Sequence, residues 1–446
     1  MHDLVIVGAG TAALSAAMPV RKAGWKVLVV DFRPFGGTCA LRGCDPKKML
    51  VTGAETVDLA LRMRGNGIAG DTRIDWPELM AFKHRYTDPI PASTEDYLKE
   101  NGIETLHGRA HFTAPHAMQI NGETIEAKHF LLAAGAEPVK LGIPGEEHLV
   151  TSEEFLNLER MPRRLVLVGG GYIAAEFSHI TARTGSSVTV LQRGERMLPH
   201  FDPDLVDLLM EKFRAVGIDV RLKTTVEAVE KRRDGVFSVR ASSRGETVRF
   251  EADLVVHAAG RRPDLEALNL GAANVALKDG KLALNDFLQS ESNPRVYAAG
   301  DTARKGPALT PVSAYDGEIV AENLLHGNRR KPDYTAVPSV AFSVPPIAAV
   351  GLGEAEARKN AHRFRTSYKR VPDWYTARRV AETVYGFKVL VEENTDRILG
   401  AHLVGPHADE VINLFALALR KAMTAEDLRT ATFAYPTAGS DVPSML

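Results

Sequence analysis

The chain has 446 residues, 45% of them hydrophobic and 25% charged, which is the usage of a globular protein long enough for about three domains and excludes a disordered or fibrous chain. Its 55 Lys and Arg balance 56 Asp and Glu to a formal net charge of −1, so no basic field marks it for nucleic acid or an anionic membrane. No apolar run approaches the ~18 residues of a membrane span, and the chain enters an apolar strand at once, which argues against a signal peptide and makes a soluble cytoplasmic protein the expectation.

Leu4-Val5-Ile6-Val7 predicts the first strand. The turn Gly8-Ala9-Gly10-Thr11-Ala12-Ala13 follows, then a helical stretch and a second apolar strand ending Val30-Asp31. Uniformly apolar strands of this length suit a parallel sheet buried on both faces. In such a βαβ unit Gly8 makes the tight turn, Gly10 lets backbone approach a pyrophosphate, and small Ala13 lets the helix pack on the strand. The helix N-terminus then offers free N–H groups to the diphosphate. The pattern recurs at Leu165-Val166-Leu167-Val168, Gly169-Gly170-Gly171-Tyr172-Ile173-Ala174 and Val188-Thr189-Val190-Leu191-Gln192. Two dinucleotide sites are therefore expected.

The residue closing the second strand separates the two. Asp31 accepts hydrogen bonds from an adenosine ribose and repels a 2′-phosphate, which points to FAD. Gln192, followed by Arg193 and Arg196, suits a 2′-phosphate, because guanidinium pairs with phosphate by a forked contact. Ala174 points the same way, so the second site is expected to take NADPH before NADH. Val296-Tyr297-Ala298-Ala299-Gly300-Asp301, an apolar strand ending in a carboxylate, supplies a further FAD contact at Gly300 and Asp301. Gly135 and Gly260 complete the cofactor-binding candidates. Seams are expected at Gly142–Glu146, at Gly260–Asp264 and near Lys331-Pro332-Asp333. Beyond the last, Phe387–Val391 predicts a strand and Asp409 to Ala422 a long apolar helix.

Cys39 and Cys44 are the only cysteines, which excludes a disulfide-rich secreted scaffold. In a regular helix, residues five apart are too distant for an S–S bond, so a bonded pair needs a distorted turn, for which Gly43 supplies freedom. A thiol opening a helix has a lowered pKa and provides a thiolate. Lys47 and Lys48 add positive charge.

The run Gly36-Gly37-Thr38-Cys39-Ala40-Leu41-Arg42-Gly43-Cys44-Asp45-Pro46-Lys47-Lys48, with both dinucleotide motifs and Gly300-Asp301 in this order, resembles the FAD-dependent pyridine nucleotide-disulfide oxidoreductases of the glutathione reductase, dihydrolipoamide dehydrogenase and mercuric reductase type. The resemblance covers essentially the whole chain. It implies an α/β fold with an FAD domain (1–142 and 263–332), an NAD(P)H domain (143–262) and a C-terminal α+β dimerisation domain (333–446). It implies a homodimer that passes electrons from NADPH through FAD to the Cys39–Cys44 disulfide. Cys44 is then the flavin-side thiol, Cys39 the interchange thiol, and Glu176 the partner of either Lys47 or Lys48. Gly37, Thr38 and Thr310 lie in flavin-contacting segments, and Tyr172 is an aromatic lid over the nicotinamide pocket.

One segment departs from the family pattern. Where glutathione and lipoamide reductases carry an acid–base histidine and its glutamate, this chain has Tyr435 and Ser440, with Asp441 one residue late. A phenol near pKa ~10 does not exchange protons at neutral pH as an imidazole near ~6.5 does. Mercuric reductases carry a tyrosine there, but their C-terminal cysteine pair and N-terminal metal-shuttle domain are not expected here. The expected acceptor is a soft metal ion met transiently by Cys39 and Cys44, with no resident metal site, or an unusual disulfide or electrophile. The alternatives are a glutathione- or lipoamide-type reductase, a quinone reductase, and an FAD-holding redox sensor.

Overall fold

The first apolar run forms the strand His2–Val7 at the middle of a seven-stranded sheet. Its order is Glu104–His107, Val27–Asp31, His2–Val7, Glu123–Leu132, Ala117–Ile120 and Ala110–Ala114, with Val296–Ala298 also pairing to Glu123–Leu132. The pairings of His2–Val7, of Val27–Asp31 and of Val296–Ala298 are parallel, and the other two are antiparallel. Leu4 lies opposite Val27, and Val7 opposite Leu132. Leu4, Val5, Ile6, Val29 and Val30 are all buried, as a parallel strand covered on both faces requires. This sheet belongs to one compact unit of the computed structural model, made of Met1–Pro46, Lys83–Val139 and Arg261–Tyr334. All 446 residues are described.

The turn after His2–Val7 demands glycine. Gly8 has φ +107°, and a Cβ there would stand 2.2 Å from the Ala133 carbonyl oxygen. Helix Thr11–Lys22 begins directly after it, with no side-chain cap on its first N–H groups.

The second unit consists of Lys47–Phe82, Lys140–Gly260 and Thr335–Leu446. It repeats the device: Gly169 has φ +122°, and its Cβ would stand 2.2 Å from the Ala258 carbonyl oxygen. Here the strands Ile218–Leu222, Ser187–Gln192, Arg164–Val168 and Leu254–His257 form a parallel sheet. Thr224–Lys231, Phe237–Ser243 and Glu246–Ala252 form an antiparallel one. A five-stranded antiparallel sheet contains Gly386–Glu392, one residue longer at each end than the predicted strand. Helix Ala408–Arg420 packs Val411, Ile412 and Phe415 into the same core. It stops short of the predicted Ala422, which has turned to φ +51°.

A buried ionic network ties this unit together. Arg183 contacts Asp58 at 2.7 Å, Lys212 contacts Asp58 at 3.1 Å and Glu382 at 3.2 Å, and Arg62 contacts Asp58 at 2.8 Å and Glu382 at 3.3 Å. Arg183 also donates to Nδ1 of buried His179 at 2.8 Å, and the imidazole stands nearly perpendicular to the Phe213 ring, with centroids 4.5 Å apart. Burial opposes ionisation of Asp58, but Arg183 and Lys212 outweigh it and hold its carboxyl below the usual range. A carboxyl more acidic in the folded than in the unfolded chain stabilises the fold above the unfolded pKa, near ~3.9, and that stability is lost as pH falls through the folded value. Asp58→Asn is therefore expected to lower the unfolding free energy at pH 7 by about 3–5 kcal/mol, the cost of leaving buried cations short of a partner. In urea titrations it should also flatten the acid side of the stability profile relative to the wild type.

Candidate active site

Cys39 lies on the short helix Gly37–Arg42, which breaks at Gly43 (φ −143°, ψ −114°), and Cys44 opens the helix Cys44–Arg62. The two thiols thus sit on either side of a helix break, the distorted turn expected from their spacing. Gly37 presses this segment onto the first dinucleotide turn: at φ +73°, its Cβ would stand 2.3 Å from the Cα of Gly10. Gly37 therefore has no room for a side chain, whereas a Cβ on Gly10 would meet Gly37 only at 3.6 Å.

Thr310, the first residue of helix Thr310–His326, places its hydroxyl at the thiol pair. It donates to Cys39 Sγ at 3.1 Å and lies 3.3 Å from Cys44 Sγ. On another side, Cys39 Sγ is 3.8 Å from Asp45 Oδ1, and Tyr86 donates its phenol proton to Asp45 Oδ2 at 3.0 Å. Cys44 is exposed and Cys39 half-buried. The hydrogen bond with Cys44 pushes the Cys39 thiol far above the usual thiol range, burial and the Asp45 charge push the same way, and the Thr310 hydroxyl opposes them. Cys44, for its part, sits at the positive end of its helix, a position that favours a thiolate.

One turn along that helix, Lys47 makes a buried 2.8 Å ion pair with Glu176 of helix Tyr172–Ala182. The Phe342 N–H donates to the same carboxylate oxygen at 3.0 Å, and the Phe342 ring lies 4.3 Å from Lys47 Nζ and 4.4 Å from Lys48 Nζ. Lys48 turns instead to Glu55 at 3.2 Å and Asp409 at 3.8 Å. Of the two lysines left open by the sequence, Lys47 is the one that Glu176 holds.

Next to Gly8 a cavity is lined by Asp31, Arg33, Thr38, Arg42, Arg109 and Asp264, among others. The Asp31 carboxylate is fixed there by the Ala9 and Arg33 N–H groups, both at 2.8 Å. Across the same unit, Gly135 donates its N–H to Thr302 Oγ1 at 2.7 Å, and Gly300 donates to Asp316 Oδ2 at 3.0 Å. Burial raises Asp301, and it pushes Asp316 up to about 6 although Tyr334 and Gly300 donate to it. A glycine turn that tolerates no Cβ, a carboxylate fixed at a strand end and a half-buried Asp301 fit the diphosphate, ribose and polyol of FAD.

At the second dinucleotide turn, Gln192 packs against Gly170 and donates to the Arg196 carbonyl at 3.1 Å. Arg193 and Arg196 are exposed beyond the end of their strand, while Ala174 is buried. Tyr172 packs edge-on against Phe201 at 5.5 Å, and burial raises its pKa. Gly171, at the N-cap, and Ile173, in the first turn, flank Tyr172 at this helix start, and Gly260 stands at φ +112°.

In the C-terminal segment, Tyr435 is 79% exposed, with the Tyr375 ring 6.5 Å away. Ser440 turns back to cap its own helix with Thr437, and Asp441 accepts a 2.8 Å hydrogen bond from Tyr385. Neither Ser440 nor Asp441 is directed to Tyr435. Sequence reasoning missed Asp45, Tyr86, Phe342, Asp316 and the seat of Thr310 at the thiols. Of these only Asp45 carried a local signal, an acid directly after the second cysteine.

Residues 2–317 match the family model described as pyridine nucleotide-disulphide oxidoreductase, and residues 337–445 match the dimerisation domain of the same family. The chain is 36% identical to a mercuric reductase of Staphylococcus aureus, over 98% of this chain and 80% of that protein. It is 30% identical to a glutathione reductase of Nostoc sp., over 100% and 99%. Among solved structures it matches the Cu(II) complex of the HOCl-induced flavoprotein disulfide reductase RclA from Escherichia coli, with a TM-score of 0.89, 26% identity and coverage of 100% and 98%.

The Thr310 hydroxyl is the donor that eases ionisation of Cys39. Thr310→Val is expected to slow iodoacetamide alkylation of Cys39 in the Cys44→Ser protein about 10–100-fold at pH 8, the scale of one hydrogen bond to a charged group. An unchanged rate would show that the hydroxyl leaves the thiol's proton affinity alone.

Proposed function

Since the chain belongs to the pyridine nucleotide-disulphide oxidoreductase family, we propose that it is an NADPH-dependent flavoprotein reductase that works through Cys39 and Cys44 on a soft metal ion in preference to glutathione disulfide or lipoamide. It is an oxidoreductase, its family binds FAD and a pyridine nucleotide, and it carries the family's dimerisation domain. No helix is long and apolar enough to cross a membrane. When bound, FAD accepts two electrons with the hydride of the pyridine nucleotide and returns them to a disulfide.

In this reading Gly8, Gly10, Ala13, Asp31, Gly37, Thr38, Gly135, Gly300 and Asp301 hold FAD. The turn at Gly169 and Gly171, with Tyr172, Ile173, Ala174 and Gly260, holds the nicotinamide coenzyme. Exposed Arg193 and Arg196 meet the 2′-phosphate of NADPH, with Gln192 bracing their loop through the Arg196 carbonyl. Glu176 keeps Lys47 in place as a buried cation beyond the first turn after Cys44. Cys44 carries the thiolate, and Cys39, with its proton and the Thr310 hydroxyl, faces the acceptor. The dimerisation domain makes a homodimer, in which Tyr435 of one subunit reaches toward Cys39 of the other.

The observation that carries the choice of acceptor is the C-terminal segment. Tyr435 stands in the acid–base position, Asp441 is engaged by Tyr385 and Ser440 by Thr437. That segment lacks the imidazole–carboxylate relay that a departing thiolate uses to collect a proton. A soft metal cation bound by thiolates needs no such proton. The likeness to mercuric reductases supports the same reading.

With FAD-loaded enzyme, Hg(II) is expected to drive NADPH oxidation well above the rate with glutathione disulfide, lipoamide or quinones. NADPH should outperform NADH in the same assay. Cys39→Ser and Cys44→Ser should each abolish the Hg(II)-dependent rate. Fast turnover of glutathione disulfide, unchanged in Tyr435→Phe, would contradict the proposal.

A further inference from the structure

The Asp45–Tyr86 pair beside the thiols has no part in the electron path. Asp45 sits in the first turn of helix Cys44–Arg62, with one carboxylate oxygen 3.8 Å from Cys39 Sγ and the other held by the Tyr86 hydroxyl at 3.0 Å. The hydrogen bond to Asp45 raises the Tyr86 pKa, so the phenol stays neutral and clamps the carboxylate without adding charge. The basic residues nearest along the chain do not offset this charge. Lys47 is held by Glu176, Lys48 by Glu55 and Asp409, and Arg42 lines the cavity beside Asp31. Thr310, on the other side of Cys39, is neutral.

We infer that Asp45 is a specificity residue: its clamped carboxylate makes the thiol site accept cationic and neutral acceptors and repel anionic ones. An acceptor that bonds to Cys39 Sγ carries its own charge to within a few ångströms of Asp45. At that distance one unit charge acting through a water-like medium changes a rate about threefold, in opposite directions for cations and anions. The fixed charge therefore separates the two classes by roughly tenfold. Metal cations and disulfides with amino groups gain from it, and disulfides that bear carboxylates lose. The inference rests on the reading that acceptors meet Cys39.

The test uses the FAD-loaded Cys44→Ser protein, in which Cys39 is the one remaining thiol. It is treated with methanethiosulfonates bearing a trimethylammonium, a methyl or a sulfonate group. The Cys39 thiolate forms a new S–S bond to the reagent's thioalkyl sulfur, and methanesulfinate leaves with the electron pair of the broken bond. Each rate is divided by that of the same reagent on a small free thiol. The cation-to-anion ratio is independent of how much thiolate is present, and the methyl reagent reports that fraction separately.

The expected ratio is roughly 10 in Cys44→Ser. It should fall toward 1 when Asp45→Asn is added, and stay within about twofold of its starting value when Asp45→Glu is added instead. Raising the salt concentration of the Cys44→Ser protein should lower the ratio as well, an arm that needs no further variant. A ratio near 1 at low salt, or an equal fall in the Asn and Glu variants, would overturn the inference. Failure of the reading beneath it looks different: Cys39→Ser would keep native acceptor activity while the reagent ratio still followed Asp45.

Discussion

The contact on which the site depends is one of backbone against backbone. Gly37 lies so close to Gly10 that a methyl group would stand 2.3 Å from the Gly10 Cα. This places the short cysteine helix directly on the first dinucleotide turn, and Gly8 fixes that turn against Ala133. The break at Gly43 then does the rest: it ends the helix that carries Cys39, and Cys44 opens the next. Two thiols five residues apart thereby face one hydroxyl, Thr310, that reaches both. Replacing Gly37 would push the cysteine helix off the nucleotide turn before any reacting group was touched.

Charge is partitioned around that pair in a consistent way. The helix start favours a thiolate at Cys44, while Cys44, burial and Asp45 push the Cys39 thiol upward. The lysines that follow are each held by carboxylates, and in the second unit the cations Arg62, Arg183 and Lys212 are closed into a network with Asp58 and Glu382. The arginines at 193 and 196, by contrast, are exposed beyond the end of their strand.

What the sequence disclosed is what local spacing encodes. The apolar runs before Gly8 and Gly169 became parallel strands with the expected turns, and Asp31 closed its strand facing a cavity. The five-residue cysteine spacing implied a distorted turn, and the break at Gly43 is that turn. Contacts made across long stretches of chain were not legible. Thr310 is 266 residues from Cys44 in sequence, and only the packing of its helix brings it to the thiols. Lys47 and Lys48 lie three and four residues after Cys44, on neighbouring faces, so spacing alone did not separate them; Glu176, from a distant segment, did. Asp441 was legible as a residue out of step, but its bond to Tyr385 needed the fold.

The central claim is that Cys39 and Cys44 form a redox couple in series with the flavin. An anaerobic dithionite titration of the FAD-loaded protein tests it most directly. The account predicts an uptake of four electrons per subunit in the wild type and two in Cys44→Ser. A wild-type endpoint at two electrons, with both thiols still unreactive toward alkylating reagents, would contradict it.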